Sequence, residues 1–170
     1  MVVFDTRLQV QYGQAYVFSG EADETGDMEA YFRGQENGLL GAALRGALFL
    51  MTGLHTGHVQ FRVEVAAAEP ALDESWEECV EASFEPEGAV QIVDWDGNLV
   101  CDVPLGLQPH RVRYHARGMD AGHEADTILE DEAPVDQYLL AFWPAPIAAE
   151  RIIRPTSEQP DYWHRWAQAL

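Results

Sequence analysis

Alternation with a period of two dominates the chain. Val59, Phe61, Val63 and Val65 interleave with His58, Gln60, Arg62 and Glu64, the pattern of a strand with one face on a core and the other polar. The same pattern puts Leu8, Val10 and Tyr12 on one strand face. It sets Val80, Ala82 and Phe84 against Glu81, Ser83 and Glu85, and Val112, Tyr114 and Ala116 against Arg111, Arg113, His115 and Arg117. Apolar runs at 47–50, 90–93, 99–103 and 138–143 read as strands more fully buried. Turn signals separate these segments: Thr52-Gly53 through Gly57, Glu85-Pro86-Glu87-Gly88, and Asp94-Trp95-Asp96-Gly97-Asn98, whose Asp-Gly pair favours a hairpin. About eight strands with short connections and no long helical crossovers predict a mainly β chain, an antiparallel β-sandwich forming one domain over residues 1–170.

Two segments depart from the alternation. The glycine-punctuated stretch Gly34–Gly46 predicts a short helix at 39–44, weakened by its flanking glycines. After Arg154-Pro155, Trp163, Trp166, Ala167 and Leu170 recur at helical spacing, with Pro160 suited to a first turn. A short C-terminal helix over 159–170 is therefore predicted, its tryptophan face docked on the sandwich; the alternative is that this face takes a partner.

Charge alters this picture more than overall composition does. The chain has 170 residues, 47% of them hydrophobic, enough apolar surface for a single core. Its 29 acids stand against ten bases, all of them arginine, for a formal net charge of −19. Such a balance disfavours direct binding to nucleic acid or to anionic membrane surfaces and favours a basic protein partner. The acids are clustered in blocks without arginine: five at 21–30 (among them Asp23 and Glu24), eight at 69–87 and seven at 120–136. The rest of the chain holds nine acids and ten arginines and is close to neutral. Two sets stand out as candidate partner-binding carboxylates: Glu74, Glu77, Glu78 and Glu81 in one block, and Asp120, Glu124 and Asp126 in another. If exposed, both sets should be replaceable by amides with the fold nearly intact. The other reading is that the blocks only keep the chain soluble.

Enzyme signatures are sparse. The sequence has no phosphate-binding glycine loop ending in lysine, no G-x-S-x-G elbow and no His-Glu-x-x-His. His55 and His58 flank a turn, and Met119–Asp126 brings His123, Glu124 and Asp126 into one acidic loop. Acid–base chemistry or a cation would use these residue types, so a small metal-dependent enzyme or binder using His123, Glu124 and Asp126 with His55 or His58 is the competing reading. Neither spacing is that of a known site, and no catalytic residue, metal or cofactor is assigned. The basic stripe Arg111, Arg113, His115 and Arg117 is read as pairing across the sheet with an acidic strand face carrying Glu77, Glu81 and Glu85. Cys79 and Cys101 are read as reduced, structural thiols. No apolar run reaches the ~18 residues of a membrane span. The first residues lack the basic and apolar regions of a signal peptide, so a cytoplasmic location is expected.

The succession of strands resembles a family. His58–Glu64, then the tryptophan-led Trp76–Phe84, then Leu99–Leu105 and Arg111–Arg117 are similar in order and spacing to the competence protein J family, over about residues 47–145. That family is typified by an inhibitor of the bacterial DNA-entry nuclease. The resemblance implies a non-enzymatic binding protein, a nuclease inhibitor or immunity protein, whose partner is a basic nuclease. It carries over no catalytic residues. An interaction module with an unrelated protein partner is the remaining alternative.

Overall fold

The alternating segments pair into two sheets. The computed structural model describes residues 1–21 and 27–170; Asp23 and Glu24 of the first acidic block lie outside them. Strand β1 (Val2–Val10) turns into β2 (Gln14–Ser19), followed by helix α1 (Met28–Phe32), the two-residue β3 (Leu40–Gly41) and β4 (Ala47–Met51). Next come β5 (Gly57–Val65), β6 (Glu78–Phe84), β7 (Val90–Val93), β8 (Leu99–Val103) and β9 (His110–Arg117). Helix α2 (Met119–Ala125), β10 (Gln137–Pro144), β11 (Arg151–Arg154) and helix α3 (Glu158–Gln168) complete the chain. One sheet runs β1-β5-β10-β9-β6-β11 and the other β3-β4-β2-β7-β8.

This is the mainly β sandwich with a short C-terminal helix that the pattern predicts. All eight expected strands form, although β1 ends at Val10 and Tyr12, read on its face, lies in the turn that follows; the described residues add three more, β2, β3 and β11. Pairing is antiparallel except for β10, which lies parallel to β5. The predicted helix at 39–44 is replaced by β3, because Gly41 must lie flat against α1: a Cβ there would sit 2.8 Å from the Tyr31 Cβ. The Asp-Gly hairpin between β7 and β8 forms as read. Gly97 takes the left-handed conformation at φ +79°, and the Asp94 carboxylate accepts from the Asn98 amide at 2.9 Å. Strand β8, expected to be buried, is instead an edge strand with Leu99 56% exposed.

Inward-facing side chains of the two sheets form one contiguous apolar cluster. Helix α3 joins it through an aromatic chain in which Phe49 meets Phe32, and Phe32 meets Trp166, each edge-on with centroids 5.4 Å apart. At Gly38 the backbone approaches the Trp163 carbonyl so closely that a Cβ would lie 2.0 Å from it. The tryptophan face is thus docked on the sandwich.

The outward face of the six-stranded sheet is where alternation misleads. It carries Arg111, Arg113, His115, Glu81 and Trp143, yet all five are buried, because the connections from 66 to 77 and from 145 to 150 hydrogen-bond across it. Glu81 faces Arg113 directly in the β6–β9 register, which bears out the cross-strand pairing at that position. Arg113 Nε donates to Glu81 Oε1 at 2.7 Å. Arg111 Nη2 and Arg151 Nε donate to the other oxygen at 3.1 and 3.0 Å. Arg113 also donates to Glu69 and to the Pro70 carbonyl, both at 2.7 Å, and its guanidinium lies 5.0 Å from the Trp143 ring centre.

Two further carboxylates hold α3 by its amino end. Glu78 Oε1 accepts from the Thr156 and Ser157 amides, each at 2.8 Å, and Asp120 accepts from the Glu158 and Gln159 amides at 3.2 and 2.7 Å. These amides have no partner inside the helix, and negative charge is favourable there.

Three outcomes are expected from this packing. Arg113→Met strips Glu81 of its shortest ion pair and should lower unfolding free energy in urea by ~3–5 kcal/mol, whereas Glu74→Gln, on the surface, should stay within about ±0.5 kcal/mol. Asp120→Ala removes a cap supplied from outside the helix and should cost ~1 kcal/mol by the same assay, with increased amide exchange at the start of α3. Burial pushes the His115 imidazole down to about 4 from 6.5. Between those pH values the unfolded chain takes up this proton and the native chain does not, so stability present above pH 6.5 drains away as pH falls towards 4. His115→Gln should flatten that slope, by up to ~3 kcal/mol across the window, in denaturation curves measured at stepped pH.

Candidate functional site

The seven candidate carboxylates divide sharply by environment. Glu78 and Glu81, 0% and 1% exposed, are structural groups and cannot face a partner. The expectation that both could be exchanged for amides at little cost is therefore corrected. Burial comes first in pushing the Glu78 carboxyl above its usual range, since the amide donors only partly compensate it. For Glu81 burial acts the same way, but the hydrogen bonds from Arg113 and Arg111 outweigh it and hold the carboxyl below that range. Asp136, in the same acidic block as Asp120, is also buried; its Oδ2 accepts from the Leu54 amide and the Tyr138 hydroxyl at 3.0 and 2.6 Å.

Glu74, Glu77, Asp120, Glu124 and Asp126 are exposed. The fold brings the two sets to one end: Glu77 accepts from the Gly118 amide at 2.8 Å, and Gly118 is the cap from which α2 and Asp120 follow. The segment 119–126, read as an acidic loop, is helical over Met119–Ala125 and stops where Asp126 takes a left-handed φ of 57°. Asp120 is engaged with α3. Glu74, Glu77, Glu124 and Asp126 form no ion pair with any arginine among the described residues.

The competing histidine cluster is not assembled. His58 is buried and its Nε2 donates to the Glu132 carbonyl at 3.1 Å. His55 is exposed, with its ring against Tyr12, and His123 projects from the surface of α2. Among the described residues no three His, Cys, Asp or Glu side chains come together as a metal-binding group. Cys79 and Cys101 are free and lie in different sheets. Desolvation pushes their thiols up to about 12 and about 11, away from nucleophilic chemistry.

Two other features went unread in the sequence. A cleft of about 370 Å³ opens on the outer sheet face beside Trp76, His115, Arg62 and Asp73, but Arg62 is held by Glu64 and Asp5, and Asp73 by the Ser75 amide. Elsewhere three turns converge. Tyr12, between β1 and β2, lies 5.2 Å from His55 and 5.0 Å from Trp95, ring centre to ring centre. Each turn was legible singly; their meeting was not.

No helix among the described residues is long and apolar enough to cross a membrane. No protein-family model matches the chain, and no curated protein matches its sequence. Among solved structures, ComJ from Bacillus subtilis, described as an inhibitor of the DNA degrading activity of NucA, is similar at 16% identity with a TM-score of 0.56, over 85% of this chain and 98% of ComJ. A second similar structure, that of crocagin biosynthetic gene J, has 13% identity and a TM-score of 0.53, over 86% of this chain and 98% of its own. The resemblance read from the order of the central strands therefore holds at the level of the fold: this sandwich resembles that of ComJ.

Proposed function

We propose that the chain is a non-enzymatic, cytoplasmic binding protein of one domain that inhibits a basic nuclease by occupying its substrate groove. One observation carries the reading: a chain of net charge −19, in which Glu74, Glu77, Glu124 and Asp126 have no arginine partner among the described residues, is folded like a nuclease inhibitor. A nuclease holds phosphates in a cationic groove, so carboxylates in comparable positions compete with DNA for the same charges. Glu74, Glu77, Glu124 and Asp126 supply such charge at the end of the sandwich where α2 begins. The same excess of acid turns nucleic acid itself away.

NucA and a DNA substrate provide the test. The protein should suppress DNA cleavage by NucA, and inhibition should weaken as ionic strength rises, because steering charges are screened beyond ~8–10 Å. A variant carrying Glu74→Gln, Glu77→Gln, Glu124→Gln and Asp126→Asn should melt at nearly the same temperature as the native chain. It should associate at least about tenfold more slowly, with a flatter salt dependence. Cleavage unaffected by a large molar excess of the native chain would overturn the inhibitor reading. Inhibition identical in the variant and insensitive to salt would overturn the electrostatic mechanism.

A further inference from the structure

We infer that the ring cluster Tyr12–His55–Trp95 is the anchor of the partner interface and receives an arginine- or lysine-bearing loop of the basic partner. This inference rests on the binding reading above and adds to it a place and a chemistry.

The cluster is built by three turns of different strands. Tyr12 and Gly13 form the tight turn between β1 and β2, both with positive φ, 56° and 65°, closed by the Gln11–Gln14 bridge. The Gly13 amide donates to the His55 carbonyl at 2.9 Å, which ties this turn to the one before β5. Trp95 rises from the β7–β8 hairpin, whose geometry is set by Asp94, Gly97 and Asn98 rather than by the indole. Tyr12 remains 52% exposed, His55 is also exposed and Trp95 is half-buried, so the rings pack on one another and leave part of their outer surface to solvent.

What fits this surface follows from its rim. Asp94 and Asp96 flank Trp95 in the hairpin, and the Asp126 carbonyl accepts from the His55 and Thr56 amides at 3.0 Å each. The Asp94 carboxylate is engaged by Asn98, whereas Asp96 and Asp126 pair with no arginine among the described residues and are the rim charges open to a partner. Tyrosine and tryptophan are the residues most often found as interface anchors. Their ring faces attract guanidinium and ammonium groups, which carboxylates at the rim would hold by charge-assisted hydrogen bonds. A phosphate-bearing ligand would meet those same carboxylates as repulsion. The surface is thus matched to a cationic protein loop.

Tyr12→Gly is the discriminating variant, since it removes the ring while glycine adopts the positive φ more readily than tyrosine. Trp95→Ala tests the second ring, with melting temperature as the check on folding. Against NucA, each variant should inhibit at least about tenfold less well than the native chain while melting within a few degrees of it. A peptide of alternating glycine and arginine, titrated into the 15N-labelled full chain, gives a readout independent of any nuclease. Its largest shifts should fall on residues 12, 13, 55, 94–96 and the Trp95 indole N–H, and Tyr12→Gly should abolish them. Native-like inhibition by both folded variants would overturn the anchor. So would peptide shifts spread over Glu74, Glu77 and Glu124 with no centre at the rings. If NucA is untouched by the native chain but the peptide centres on the rings, the nuclease reading fails and the anchor stands.

Discussion

Glu81 is the point on which the outer face of the large sheet depends. Its carboxylate receives Arg113 from one side and Arg111 and Arg151 from the other, tying β9, β6 and β11 together. Arg113 in turn reaches Glu69 and the Pro70 carbonyl, and Arg111 the Ala148 carbonyl. The two connections that cross the sheet are therefore fastened to the same buried charge. Removing charges from water costs several kcal/mol each, and this arrangement is sustainable because nearly every donor and acceptor finds a partner at short range. The constraint is geometric: a strand slipped by one residue would turn Glu81 into the apolar core.

That constraint sorts the acidic residues. Buried carboxylates serve the fold, through the arginine cluster at Glu81, the helix-capping contacts of Glu78, and the hydroxyl and amide contacts of Asp136. Asp120 is exposed yet committed to the start of α3. What remains for recognition is the acid with no internal duty, which includes Glu74, Glu124 and Asp126 together with Asp96 on the hairpin. A surface so composed has long electrostatic reach but little shape of its own. A ring cluster set among those charges supplies the shape, as desolvated anchors do at the centres of protein interfaces.

The order of strands was open to reading because half-buried strands leave a period-two signature whatever they pair with. Val59 to Val65, Val80 to Phe84 and Val112 to Ala116 were each recognisable alone, and so was the Asp-Gly hairpin. The helix at the end was marked by Trp163, Trp166 and Ala167. Strand β2 leaves no period-two signature, because it lies inside the small sheet and carries an apolar run without clean alternation. Strands β3 and β11 are short and take their conformation from neighbours, Tyr31 and Phe32 for one and Glu81 for the other.

The sequence by itself determined the mainly β architecture, the pairing of Glu81 with the basic strand and the large negative charge, since periodicity and composition are local properties; Glu77 and Glu85, read on the same acidic face, lie outside β6. Only the tertiary structure decided which polar residues are surface. Arg113 and Glu81 look solvent-facing by alternation, and they are buried because distant connections fold over them. Asp120 looks free, and it is held by a helix that starts at residue 158. Tyr12, His55 and Trp95 are separated by some forty residues at each step, and no local pattern carries the fact that their turns meet. Burial and convergence are set by contacts between segments remote in sequence, whereas the period of a strand is set by its own backbone.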